Sequence, residues 1–194
     1  MNKIKVLFLA ANPFGDLNLD IEVRSIVEKI RASEYRDCLQ LIPALAARTD
    51  DLIQLLNEHK PHIVHFSGHG SDLGEIILVD DNGSHKAVSA KAMKSLMKTL
   101  KDNIQLVIFN ACYSKEQAIA ITEVIDCAIG MNAPINDPAA IVFAASFYRA
   151  VGFARSAKEA FEQGLAALAL EGFTDESVPE LLTKDGVDPS KVFF

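Results

Sequence analysis

Short apolar runs alternate with amphipathic stretches along the chain, and that alternation predicts its elements. Residues 4–11, IKVLFLAA, form an unbroken apolar run, as a strand buried on both faces requires. NPFGD ends it. From Leu19 the period lengthens, and Ile21, Val23, Ile26, Val27 and Ile30 keep one side of a helix apolar. CLQLIPALA (38–46) is the next strand, and Pro43, which has no N–H to donate, places it at a sheet edge. Thr49 and Asp50 are positioned to cap a helix carrying Leu52, Ile53, Leu55 and Leu56. HIVHFSG (62–68) is the third strand. Residues 74–88 break the rhythm, with two short strands flanking DDNG, a hairpin signal.

A helix over 89–100, a strand over 104–111 and a helix over 114–125 follow, the last with Ser114 as cap and Gln117 three residues on. CAIGM (127–131) is a fifth core strand. Asp137 is placed to cap a helix over 138–152, and Ser156 another reaching 171. The tail, PELLTKDGVDPSKVFF, reads mostly as turn, with KVFF a short candidate edge strand. No repeats or low-complexity segments occur. Strands alternating with helices in 194 residues predict one α/β domain: three layers, a mostly parallel central sheet and a β-hairpin insertion.

In such sheets ligands bind beyond the carboxyl ends of the strands. Two unusual segments fall there: SGHG after the third strand and NACYS after the fourth. Consecutive strands are commonly neighbours, so the two tips are expected to face each other. His65 and His69 are four residues apart, but on a strand that separation spans roughly 13 Å. With no second Cys/His cluster in the sequence, a metal site is not expected. Cys112 follows a buried strand and leads into a helix. A free thiol is only about 3% ionised at neutral pH, and a helix N-terminus and a nearby imidazole both favour the reactive thiolate. His69 is the available imidazole. Gly68 and Gly70 keep the space beside it open, and the Gly70 and Cys112 N–H groups could bind an oxyanion. A cysteine at a strand end is also a common core residue, so the residue types leave the nucleophilic and structural readings both open.

Charge narrows the partners. The net charge of −7 and pI near 5.2 argue against nucleic acid as a direct partner. Lys91, Lys94, Lys98 and Lys101 recur at helical spacing and read as a solvated face. No apolar run reaches membrane-spanning length, and the opening MNKIKVLFLAANPF lacks a long signal-peptide core, so it reads as the first strand. Three cysteines, Cys38, Cys112 and Cys127, all in apolar surroundings, fit a reducing cytoplasm. Cys38 and Cys127 read as core, and His65 as a buried, hydrogen-bonded histidine.

HFSGHG followed by FNACYS resembles the CHAT-domain family of bacterial caspase-like cysteine peptidases. FLAANPFGDLNLDIEVRSI is similar to the opening of that family, and AIGMNAPINDPAAIVFAASFYRAVGFARSAKEAFEQG to the segment after its nucleophile. The resemblance covers nearly the whole chain. It implies a caspase-like fold and peptide-bond hydrolysis by a dyad of His69 and Cys112. It also implies an oxyanion hole from Gly70 and Cys112, no metal and no cofactor. Arginine-cutting relatives in the wider clan carry an acid two residues before the nucleophile. Here that place is Asn110, and no arginine lies near either motif, so a neutral or basic residue is expected at the cut. Asp137 is the other candidate for lining that pocket. The resemblance further implies an effector in signalling or antiphage defence. Its partners would be a protein substrate and a sensor or adaptor that orders the loops at 131–137 and 70–74. With the strand pattern starting by Ile4, no pro-segment is expected to cover the site. A caspase-like module that only binds is the alternative function. A flavodoxin-like binder would want a phosphate loop, and none follows the first strand. The oligomeric state is left open.

Overall fold

The computed structural model describes residues 3–194, so the first two residues of the opening segment lie outside it. In chain order the elements begin with β1 (Ile4–Ala11), α1 (Leu19–Arg31), β2 (Leu39–Leu45), α2 (Thr49–His59) and β3 (Ile63–Gly68). The hairpin β4 (Ile76–Val79) and β5 (His85–Val88) leads into α3 (Ala90–Leu100) and β6 (Leu106–Asn110). Then come α4 (Lys115–Thr122), β7 (Cys127–Met131), α5 (Asp137–Val151), α6 (Ala157–Leu170) and β8 (Pro179–Thr183). The main sheet runs β2-β1-β3-β6-β7-β8, and β4-β5 forms a separate two-stranded ribbon. All neighbours in the main sheet are parallel except β7 and β8.

The period of two along each strand sorts side chains into two cores. Val6, Phe8, Ile63, Ile108 and Ile129 face α1, α5 and α6, where Ile26, Phe143, Phe147 and Leu168 cover them. Leu7, Leu9, Val64, Phe66, Val107 and Phe109 face the other way, against Leu52 and Leu56 of α2, Met93 and Met97 of α3, Ile121 of α4 and the ribbon. Both faces of β1 are thus covered, which is why its run is apolar throughout: Val6 to Leu9 have no exposed surface. This is the three-layer arrangement with a hairpin insertion that the alternation predicts. Pro43 does lie on an edge strand, paired on one side only with Phe8. No helix among the described residues is long and apolar enough to cross a membrane.

The structure corrects several local expectations. PELLT forms edge strand β8, antiparallel to β7, where turn was expected, while KVFF is not a strand. Val192 is nevertheless buried in the α1/α5/α6 core. At α2 the cap position is Arg48, not Thr49 or Asp50; its N–H and guanidinium both go to the Asp51 carboxylate. Ser114 occupies the cap position of α4, but its hydroxyl donates to the Phe109 carbonyl and accepts from the Met131 N–H, tying β6 to β7. Gln117 reaches out to the Gly74 and Val88 carbonyls and anchors the ribbon. Asp137 is the first residue of α5 rather than its cap, and its carboxylate accepts from Asn18 instead.

Ser156 behaves as its sequence predicts. Its hydroxyl accepts from the Glu159 N–H, and the Glu159 carboxylate accepts from the Ser156 N–H, a closed capping box. Ser156→Ala is expected to lower stability by about 1 kcal/mol. Urea unfolding checks this, and an unchanged midpoint would contradict it.

Candidate active site

The register of the parallel strands decides what meets at the carboxyl edge. Ser67 of β3 stands opposite Asn110 of β6, and Gly68 of β3 opposite Ala11 of β1. Residues just past each pair leave the sheet side by side. His69 and Cys112, each two residues beyond the Ser67–Asn110 pair, line one narrow cleft. The backbones touch here. A Cβ on Gly70 would stand 1.8 Å from the Cys112 carbonyl oxygen, and one on Gly68 2.4 Å from the Ala11 carbonyl oxygen. No other residue type fits either position. The chain then turns sharply, with Tyr113 in the left-handed region at φ 54°, before α4 begins.

The ribbon fixes the far side. Ile77 N–H donates to the His69 carbonyl and Ser71 N–H to the Glu75 carbonyl, so Gly70 and Ile76 form a non-hydrogen-bonded antiparallel pair. In such a pair the N–H groups point away from the partner strand. The Gly70 N–H therefore aims off the ribbon.

Beyond Ala11, the β1 loop lies alongside the β3 tip. Asn12 closes that loop: its Oδ1 accepts from the Gly15 and Asp16 N–H groups and its Nδ2 donates to the Leu17 carbonyl. This brings the Asp16 carboxylate to 2.8 Å from His69 Nε2, with Asn12 Oδ1 at 3.4 Å. The Phe14 ring packs edge-on against the imidazole, 4.9 Å between centroids. Asp16 has no role in the sequence reading. The signal for it is positional: an acid in the loop after the strand that flanks the histidine strand.

The cleft lies on the α1/α5 face, because Ile63, His65 and Ser67 share that face of β3, as Leu106, Ile108 and Asn110 do on β6. Its base is polar. Glu22, 2% exposed, projects from α1 and accepts from the Ser67 hydroxyl and, at 2.7 Å, from Asn110 Nδ2. Asn110 Nδ2 also approaches the Ala140 carbonyl at 3.4 Å. Both partners of this nitrogen are acceptors, which fixes the amide orientation and leaves Asn110 Oδ1 buried without a partner. Asp137 lines the same cleft from α5. Glu22 was also missed in the sequence. It stands three residues after Leu19 and four before Ile26, on the apolar stripe of α1, and an acid there is a buried acid.

His65 is fully buried, as expected, with Nδ1 3.0 Å from the Tyr148 hydroxyl. Burial first, and then the Glu22 charge, hold the Tyr148 hydroxyl well above the usual tyrosine range, so it stays protonated. His65 Nε2 lies 3.4 Å from Glu22 Oε1. That Nε2 makes no well-aligned hydrogen bond.

The remaining cysteines differ from each other. Cys127 is buried in β7, and burial, then Asp126, pushes its thiol up to about 12. Cys38 is not the core residue its sequence suggested; it is half-buried and lines a separate cavity of about 420 Å³ at the opposite end of the sheet, with Ile4, Leu39 and His62. Among the described residues, no group of three or more His, Cys, Asp or Glu side chains is arranged to hold a metal ion.

The chain has relatives. A "Probable protease" from Gillisia limnaea is 29% identical over 147 residues, 74% of this chain and 26% of its own length. A "Roc-COR-CHAT protease" from an unknown prokaryotic organism is 29% identical over 175 residues, 82% of this chain and 16% of that protein. The chain thus spans about a quarter or less of the curated relatives it matches. Among solved structures, a secreted cysteine protease from Bacteroides thetaiotaomicron in complex with an irreversible peptide inhibitor superposes with a TM-score of 0.66. It is 13% identical, with 93% of this chain and 66% of that one covered. The Arg-specific proteinase gingipain R superposes at 0.65, with 13% identity, 97% of this chain and 47% of that one. Caspase-1 from Spodoptera frugiperda superposes at 0.59, with 11% identity, 94% of this chain and 88% of that one. These likenesses establish a caspase-like fold. The CHAT domain family matches residues 19–171, well over half of the sequence, and the chain belongs to that family.

Proposed function

We propose that the chain is a cysteine endopeptidase in which Cys112 is the nucleophile and His69 its acid–base partner. The observation that carries this reading is the contact between the Gly70 and Cys112 backbones, which holds imidazole and thiol on one cleft. Asp16 engages Nε2 of His69, so the nitrogen left for the thiol is Nδ1. The Cys112 thiol gives its proton to His69 and attacks the scissile carbonyl. Negative charge develops on the carbonyl oxygen, where the Gly70 and Cys112 N–H groups stabilise it. His69 returns the proton to the departing amine, and water hydrolyses the thioester. Asp16 is a positioning residue: it sets the tautomer and ring plane and stabilises the imidazolium that forms. Membership of the family and the protease-named relatives support peptide hydrolysis. The relatives' much greater length, and a name that joins CHAT to other modules, support control by a further domain or a sensor or adaptor protein.

Cys112→Ala is expected to abolish cleavage, and His69→Ala to slow it at least about 100-fold, the scale of general acid–base catalysis. Asp16→Asn is expected to lower kcat by up to about 100-fold with KM little changed, because misplacing a reacting group by roughly an ångström costs that much. Steady-state kinetics on a peptide substrate reads all three, and full activity of Cys112→Ala in a clean preparation would end this reading.

Thiol reactivity gives an independent check. Iodoacetamide should modify Cys112 first in the folded protein, half-buried Cys38 more slowly, and Cys127 only after unfolding, since its thiol is pushed up to about 12. Peptide mapping by mass spectrometry follows each site. Cys127 modified as fast as Cys112 would contradict the assignment.

A further inference from the structure

A second cavity opens at the amino ends of the parallel strands, far from Cys112. It encloses about 420 Å³, within the range of roughly 300–1,000 Å³ that small-molecule sites occupy. Its walls are set by the backbone. The Tyr35 N–H donates to the Gly152 carbonyl, and a Cβ on Gly152 would stand 2.2 Å from Ser33 Oγ, so the segment after α1 is pressed onto the end of α5. There Ala154 lies in the left-handed region at φ 56°, and the Arg155 N–H returns to the Ala150 carbonyl. On the other side the Ala157 N–H donates to the Val192 carbonyl and Gln105 Nε2 to the Phe193 carbonyl, which fixes the segment carrying Phe193 and Phe194. The cavity is therefore preformed.

Its lining joins apolar surface to positive charge. Ile4, Leu39 and Val151 supply aliphatic wall, and Tyr35 and Phe193 supply rings that are 42% and 52% exposed, apolar surface that a ligand would take out of water. Lys3 and Arg155 line the cavity as well, both exposed, while among the described residues no aspartate or glutamate does. In a chain of net charge −7 that local excess of cations sets the sign of what fits. Arg155 meets Glu159 at 3.3 Å through one nitrogen, an exposed pair of little strength that leaves its other N–H groups available. His62 adds a neutral donor: its Nδ1 accepts from the Lys5 N–H, so the ring proton is on Nε2, and burial first, then the Lys5 charge, lower its affinity for a second proton. We propose that this cavity binds a small organic anion with an apolar body, a medium-chain carboxylate being the simplest case. The anionic head meets Lys3 and Arg155 in charge-assisted hydrogen bonds, and the body covers Tyr35 and Phe193. A neutral ligand of the same shape leaves the cations unused, and a cationic one is repelled. The site stands apart from the cleft at the carboxyl edge and does not depend on the role of Cys112.

The test titrates the chain calorimetrically with four probes: octanoate, octan-1-ol, octylammonium and acetate. Octanoate is expected to bind at least about tenfold more tightly than octan-1-ol, the discrimination that one hydrogen bond to a charged group supplies, with octylammonium and acetate weaker still. Lys3→Gln combined with Arg155→Gln should bring octanoate and octan-1-ol to similar affinity; both side chains are exposed, so the fold is not at stake. Saturating octanoate should slow iodoacetamide at Cys38, which lines the cavity, and leave Cys112 unchanged, as read by peptide mapping. Octanoate binding no more tightly than octan-1-ol, or binding that the double substitution does not weaken, would overturn the proposal. Protection of Cys112 rather than Cys38 would move the ligand to the other cleft and overturn it too. The double substitution locates the ligand whether or not Cys38 reacts in the folded chain.

Discussion

Ser67 of β3 lies opposite Asn110 of β6 in a parallel ladder, and Gly68 lies opposite Ala11 of β1. Every feature of the candidate site follows from those pairings. A slip of one residue would turn side chains to the opposite face of the sheet and separate imidazole from thiol. The register is held by the two apolar cores, which sort alternate residues of β1, β3 and β6 to opposite helices. It is also held by contacts between backbones at the edge, where Gly68 meets Ala11 and Gly70 meets Cys112 with no room for a Cβ. The fold thus spends its most buried strands on aligning three loops: one with Asp16, one with His69, one with Cys112.

A second constraint runs beneath that edge. Tyr148, His65, Glu22, Ser67 and Asn110 form a connected polar chain inside the otherwise apolar α1/α5 layer. Buried polar groups are costly unless satisfied, and most of this chain is satisfied internally. The departures are local. His65 Nε2 has only a long contact with Glu22, and Asn110 Oδ1 has no partner at all. Of the two, only Asn110 lines the cleft beside Cys112.

Much of this was legible in the sequence. Continuous apolar runs marked β1, β3 and β6, and the segments SGHG and NACYS at the ends of β3 and β6 marked His69 and Cys112, because strand tips need little long-range information to be recognised. Asp137 was a candidate both to line a pocket and to cap α5; it lines the cleft, and its carboxylate binds Asn18 rather than capping α5. Asp16 and Glu22 were not recognised. Each becomes meaningful only through contacts with residues more than forty positions away, Asp16 with His69 and Glu22 with Ser67 and Asn110. Within their own segments they resemble ordinary loop and helix acids. β8 escaped notice for a related reason: PELLT is short, starts with proline and has a charged residue second, and only its pairing with β7 makes it a strand. Ser114 and Gln117 had the spacing of a capping box, but tertiary partners on β6, β7 and the ribbon took both side chains.

In the proposed mechanism Cys112 attacks a peptide carbonyl held between the Gly70 and Cys112 N–H groups. The most direct measurement is a crystal structure of the chain after reaction with an irreversible peptide inhibitor. Attack by Cys112 predicts a covalent bond to its Sγ, the inhibitor's carbonyl oxygen within hydrogen-bond distance of both N–H groups, and His69 still engaged by Asp16. A bond to Cys38 or Cys127 instead, or an inhibitor carbonyl turned away from Gly70, would contradict it.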